Sequence, residues 1–245
     1  MEKFLNPKRS VAASHFHKMN TMTIPVRPFA MLKMGTLAVL ALVLLLLNGC
    51  HWVGIRGNGH VVTDERKASD FSKLEADGAF TINWTAGAPK LTIRTDENLL
   101  EYITSDFHDG TLHLEWVKPL QGTHGITVTV SSGALTRVTL NGAVKLNAAK
   151  LAGPEFYLDG NGATRATLTG NVNAMSSDLN GASRLDAEEL TTRAMELSIA
   201  GAGRADVNVT DALKVDISGA GKVTYSGNPT VSKQISGAGS VSKRD

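Results

Sequence analysis

One phrase of small residues returns six times in the second half of this 245-residue chain. Aligned on Gly-Ala, the copies read TLNGAVKL (139–146), DGNGATRA (159–166), DLNGASRL (178–185), SIAGAGRA (198–205), DISGAGKV (216–223) and QISGAGSV (234–241). Their first glycines, Gly142, Gly162, Gly181, Gly201, Gly219 and Gly237, are spaced by 20, 19, 20, 18 and 18 residues. A near-constant period of this length makes each copy one unit of a stack.

The residues two and four before each glycine are mostly Leu, Ile or Val, as is the residue four after it in most copies, with Thr, Asp, Ser, Arg and Lys between. Alternation with period two on both sides of a small-residue bend predicts two short strands meeting at a corner. Eighteen to twenty residues leave no room for a helix beside them. Strands that bury the same face after each complete turn stack in parallel, so the expected fold is all-β, a β-solenoid with one corner glycine per rung. Glycine suits such a corner because it accepts backbone angles that other residues resist. A phosphate cradle is the competing use of a glycine-rich loop, but it needs a helix directly after the loop, and here a strand follows.

Upstream, AFTINW (79–84), KLTIRT (90–95), TLHLEW (111–116) and GITVTV (125–130) read as further strands, ADGAF (76–80) as one more corner, and DENLLEYI (96–103) as a short helical or looped crossing. Residues 56–245 are therefore read as one solenoid domain, with 51–55 as a short tether.

Residues 1–50 read as a presequence. An uncharged apolar run from Thr36 to Leu47 follows Arg27 and Lys33 and closes on LNGC (47–50). That run is well short of the roughly 20 apolar residues of a membrane-spanning helix, so a signal sequence is expected. Met19, Met22, Met31 and Met34 are alternative starts. Cys50 is the single cysteine of the chain, which excludes an internal disulfide. Its setting resembles the lipobox of bacterial lipoproteins, with Asn48 departing from the usual residue. That resemblance implies acylation of Cys50, attachment to a membrane through lipid, and the outer membrane as the expected destination.

Charge shifts with the presequence. The whole chain carries a formal charge of +2, whereas residues 51–245 hold 19 Lys and Arg against 22 Asp and Glu, a net of −3. A general affinity for nucleic acid is therefore not expected. Locally the picture differs, because the residue three after each corner glycine is Lys145, Arg165, Arg184, Arg204, Lys222 and then Ser240. Stacked rungs would set five cations in one stripe at about 4.8 Å per step. Such a stripe is a candidate site for an anionic polymer or envelope glycan, partly neutralised by Asp186 and Asp206 on the same face. Asp159 and Asp178, three before their glycines, would fall on adjacent rungs at a spacing that suits a retaining glycosidase pair or a cation site. Without long loops to form a cleft around them, surface carboxylates are the plainer reading. No metal-ligand spacing occurs, and no cofactor is expected.

DFSKLEADGAFTINWTAG (70–87), TDENLLEYI (95–103) before DGTLHLEW (109–116), the recurrent SGAG and the closing VTYSGNPTVSKQISGAGSV (223–241) together resemble the DUF2807 family, the autotransporter adhesin head GIN domain. The likeness covers about residues 56–241. It implies a bacterial envelope protein with a right-handed parallel β-helix and no established biochemical activity. The repeats run to within a few residues of Asp245, so a translocator barrel and autotransport are not expected. The function expected from all of this is a non-catalytic lipoprotein presenting an interaction surface. The alternatives are a β-helix polysaccharide hydrolase or lyase, and a structural or stress-related envelope component without a discrete ligand.

Overall fold

The computed structural model describes residues 54–244; the presequence and Cys50 lie outside the described residues. In chain order the elements are β1 (Ile55–Arg56), β2 (Val61–Arg66), β3 (Lys73–Gly78), β4 (Thr81–Ala86) and β5 (Lys90–Asp96), a 3-10 helix (Glu97–Tyr102), β6 (Ile103–His108), β7 (Thr111–Trp116), β8 (Leu120–Gln121) and β9 (Thr127–Ser132). The repeats supply β10 (Arg137–Gly142), β11 (Lys145–Gly162), β12 (Arg165–Gly181), β13 (Arg184–Gly201), β14 (Arg204–Gly219), β15 (Lys222–Ser226), β16 (Thr230–Gly237) and β17 (Ser240–Lys243).

The repeat strands pair in parallel, and the register carries each corner glycine onto the next. Gly78, Gly142, Gly162, Gly181, Gly201, Gly219 and Gly237 lie in one column, so ADGAF is a seventh corner in a β-solenoid of about five turns. Two demands make the position glycine. The backbone there is left-handed, from φ +84° at Gly181 to +140° at Gly78, a region that a side chain resists. The corners also nest, so that a Cβ at Gly162 or Gly181 would lie 2.7 Å from the carbonyl oxygen of the preceding corner. That carbonyl accepts a hydrogen bond from the alanine after the next glycine, as in Ala202 N to Gly181 O at 2.9 Å.

Between corners the repeat strands are longer than two short arms. β11 to β14 run 16 to 18 residues each and pass a second bend within the strand, marked by register shifts between Ala148 and Leu151 and between Thr167 and Gly170. Inward columns such as Leu140, Leu179, Ile199 and Ile217 are 0–2% exposed, and burial of each such side chain contributes about 1.5–3 kcal/mol. Outside the first corners, Asn141 donates to Asp77 (2.6 Å), Asn161 to Asn141 (3.0 Å) and Asn180 to Asn161 (2.9 Å), an amide ladder that follows from stacking identical residues.

The region before the repeats continues the register and then closes it. β3 and β4 stack in parallel on β10 and β11, and β7 and β9 stack on β3 and β4. β2, β5 and β6 pair antiparallel instead, which the repeat alone does not predict, and the 3-10 helix occupies the crossing expected at 96–103. Together they cover this end of the core. Trp116 lies on the Gly78 corner and against Phe80, ring centroids 6.2 Å apart, and Phe71 meets Phe107 at 5.9 Å.

Asp96 ties the entering chain to this cap. Fully buried, its carboxylate accepts from Gly59 N, Thr123 N and Thr123 Oγ1, each at 2.7 Å. Burial pushes its pKa up, but the Thr123 and Gly59 hydrogen bonds outweigh that and hold it below the ordinary carboxylate value. The expected tether is thus fixed at its end, where Ile55 N bonds Pro119 O at 2.9 Å and β1 pairs β8.

Candidate functional site

Each member of the basic stripe is the first residue of its strand, held by the corner before it. Lys145 N bonds Phe80 O at 2.8 Å, Arg165 N bonds Val144 O at 2.9 Å, Arg184 N bonds Thr164 O at 2.9 Å, Arg204 N bonds Ser183 O at 3.0 Å and Lys222 N bonds Gly203 O at 2.9 Å. The parallel register places Lys145, Arg165, Arg184, Arg204, Lys222 and Ser240 in one unbroken column. Four rung steps of about 4.8 Å span roughly 19 Å from Lys145 to Lys222.

The charges in this column are not equivalent. Asp206, 1% exposed, sits two residues after Arg204 on the same strand face and gathers three guanidinium groups. Arg204 Nε lies 3.0 Å from its carboxylate, Arg244 Nη2 at 3.3 Å and Arg184 Nη2 at 3.6 Å. Burial pushes the Asp206 carboxyl up; the hydrogen bond and charge of Arg204, with Thr224 and Arg184, bring it below its ordinary value. Arg244 also pairs with Glu188. Arg184 and Arg204 therefore serve a buried carboxylate, and truncating them would leave that charge uncompensated, so they are not the freely exposed charges that the stripe suggests. Lys145, Arg165 and Lys222 are exposed and form no ion pair among the described residues.

The i, i+2 spacing of Arg204 and Asp206 marks a same-face pair in a strand and was available from sequence. Arg244 lies outside the repeat, and nothing in its neighbourhood signals the contact.

Asp159 and Asp178 do lie side by side across β11 and β12. Asp159 is raised above the ordinary carboxylate value, first by burial and then by the charge of Asp178, against the opposing pull of Arg137 at 3.6 Å. The two do not share a cleft. A groove of about 550 Å³ crosses β11 to β16, floored by Ala174, Ala194 and Ala212 with Glu155 and Tyr157 at one end, and neither aspartate lines it. A smaller hollow of about 80 Å³ takes in Asp178 beside Ser198 and Lys214 but not Asp159. Tyr157 donates to Glu155 at 2.6 Å and carries the Arg137 guanidinium 4.6 Å from its ring centre, so that end of the groove is already occupied by mutual contacts. Among the described residues no cluster of His, Cys, Asp and Glu is arranged to hold a metal ion.

The family model described as "Putative auto-transporter adhesin, head GIN domain" (DUF2807) matches residues 70–229. Similar solved structures include a "putative adhesin" from Bacteroides fragilis, 20% identical, covering 78% of this chain and all of its own, with a TM-score of 0.66. Another, a "putative adhesin" from Parabacteroides merdae, is 21% identical, with 78% and 99% of the two chains covered and a TM-score of 0.51. At these identities the likeness is one of fold. No curated protein sequence matches the chain.

Proposed function

Because the chain belongs to the auto-transporter adhesin head GIN-domain family, we propose that it is a non-catalytic protein of the bacterial cell envelope whose rigid solenoid presents a surface for a linear anionic polymer. The observation that carries this reading is the registered column of cations on a body whose residues 51–245 are net negative. In this column positive charges recur over five consecutive rungs, from Lys145 to Lys222, and a repeating column matches a repeating polymer. Lys145, Arg165 and Lys222 supply the uncommitted charge, while Arg184 and Arg204 keep the strip continuous through their tie to Asp206.

A non-catalytic role is supported by the separation of Asp159 from the groove and by the structural explanation of its raised pKa, burial beside Asp178. Attachment is proposed to run through Cys50, acylated after removal of the signal sequence, with the outer membrane as destination. The reading is tested by titrating the full chain, in detergent, against lipopolysaccharide, teichoic acid and an acidic polysaccharide at low and high salt. Binding to one of them that weakens steeply as salt rises is expected. Absence of binding to all three at low salt contradicts it.

A further inference from the structure

The two ends of the solenoid are finished differently. At one, antiparallel strands, the 3-10 helix and Trp116 close the core. At the other, β16 pairs only with β14 and β17 only with β15, so among the described residues their outer edges are free. Ile235 is 37% exposed there although its counterpart one rung earlier, Ile217, is fully buried, and Val231 and Val241 are only partly covered. A free parallel edge with apolar side chains on its core face is a template for another strand.

One residue on that edge breaks the pattern. The inward column four before the corner glycine runs Val138, Leu158, Ser177, Leu197, Val215, and its next member is Lys233. Lys243 donates to Asn228 and Arg244 is held by Glu188 and Asp206. Lys233 has no carboxylate partner among the described residues, and residues 227–244 include no Asp or Glu.

The position of Lys233 decides what can pair. Two copies of β16 meeting antiparallel with their core faces aligned bury most apolar surface when Val231 faces the Ile235 of a second copy. Since 233 is midway between them, that register sets Lys233 opposite the second Lys233, about 4.5–5.5 Å apart between Cα atoms. Two ammonium groups facing each other in a seam that excludes water repel strongly. A one-residue slip turns the apolar side chains outward and forfeits the seam. A carboxylate opposite Lys233 reverses the sign of the interaction.

We propose that the free edge of β16 is a strand-docking site that Lys233 closes to a second copy of this chain and opens to an extended segment carrying a carboxylate opposite it, flanked by apolar residues two positions away on each side.

The Lys233→Glu variant of the same chain provides such a segment. Wild type and Lys233→Glu full chains, in detergent, are each expected to sediment as single copies, because each homotypic pair opposes like charges. Mixed in equal amounts they should form a one-to-one pair of doubled protein mass that dissociates as salt rises, and adding Ile235→Ser to either should abolish it. If Lys233→Glu does not melt cooperatively, Lys233→Leu takes its place and is expected to pair with itself. The proposal is overturned if wild type pairs with itself, if the folded mixture stays as single copies, or if a folded Lys233→Leu does.

Discussion

The two glycines of SGAG answer to different constraints. The first, as at Gly219, is left-handed and nests against the preceding corner. The second is not left-handed; it is a matter of volume. Residues two before and two after the corner glycine meet inside the bend. A Cβ at Gly203 would lie 2.8 Å from Ile199 Cγ2, and one at Gly221 would lie 2.9 Å from Cγ2 of Ile199 and of Ile217. Where the earlier residue is smaller or differently branched, the later one grows. Gly160 faces Thr164, and Leu179 shares its bend with Ser183, whose hydroxyl bonds Gly160 O and Asn180 O. Gly203→Ser is therefore expected to destabilise the protein by about 1–3 kcal/mol through overpacking. The same change with Ile199→Leu, which reproduces the Leu179 and Ser183 pairing, should recover a large part of the loss. Denaturant melts of the four members of this cycle check it, and strict additivity would contradict the volume argument.

At the scale of elements, the cap depends on one buried carboxylate. Asp96 joins the residues entering at Gly59 to the loop at Thr123, and these partners are 37 and 27 residues distant in sequence. Its folded pKa lies below the ordinary value, so its contribution is fully present above the ordinary carboxylate pKa of about 3.9 and is lost as pH falls through the folded value. Asp96→Asn should destabilise the protein at neutral pH by about 2–3 kcal/mol, because the hydrogen bonds it accepts as an anion weaken. It should also flatten the decline of stability as pH falls below about 3.9, the ordinary carboxylate value. Equal slopes for wild type and variant would contradict this role. None of it was legible beforehand, since Asp96 sits in an unremarkable stretch of charged and apolar residues and its partners meet it only through long-range folding. The corners, their register and the cation column were legible because repetition converts sequence spacing directly into position. The long β11 to β14 strands were less so, because their second bend carries no repeated phrase, only Gly170 and local register shifts. Asp206 lay in the aligned columns, yet its burial under three arginines depends partly on Arg244, which the repeat does not position.

On the scale of the whole molecule, the chain enters through the closed cap and ends its described path on an open edge. Among the described residues no helix is long and apolar enough to cross a membrane, and the proposed hold on the envelope is the lipid on Cys50. Metabolic labelling with palmitate is expected to mark the wild-type chain and not Cys50→Ser; equal labelling of both would remove the anchor from this account. Under the proposed function the column of cations faces an anionic polymer of the envelope, and that column is where the functional proposal stands or falls. The most direct measurement is the salt dependence of binding to whichever anionic polymer the wild type takes up, compared with a variant carrying Lys145→Gln, Arg165→Gln and Lys222→Gln. These three lie in the column but do not touch Asp206, so melting temperature should stay nearly unchanged. The account predicts weaker binding and a flatter salt dependence for this variant, and neither effect for Lys90→Gln with Lys118→Gln outside the column. Indistinguishable affinity and salt dependence for the column variant and wild type would contradict it.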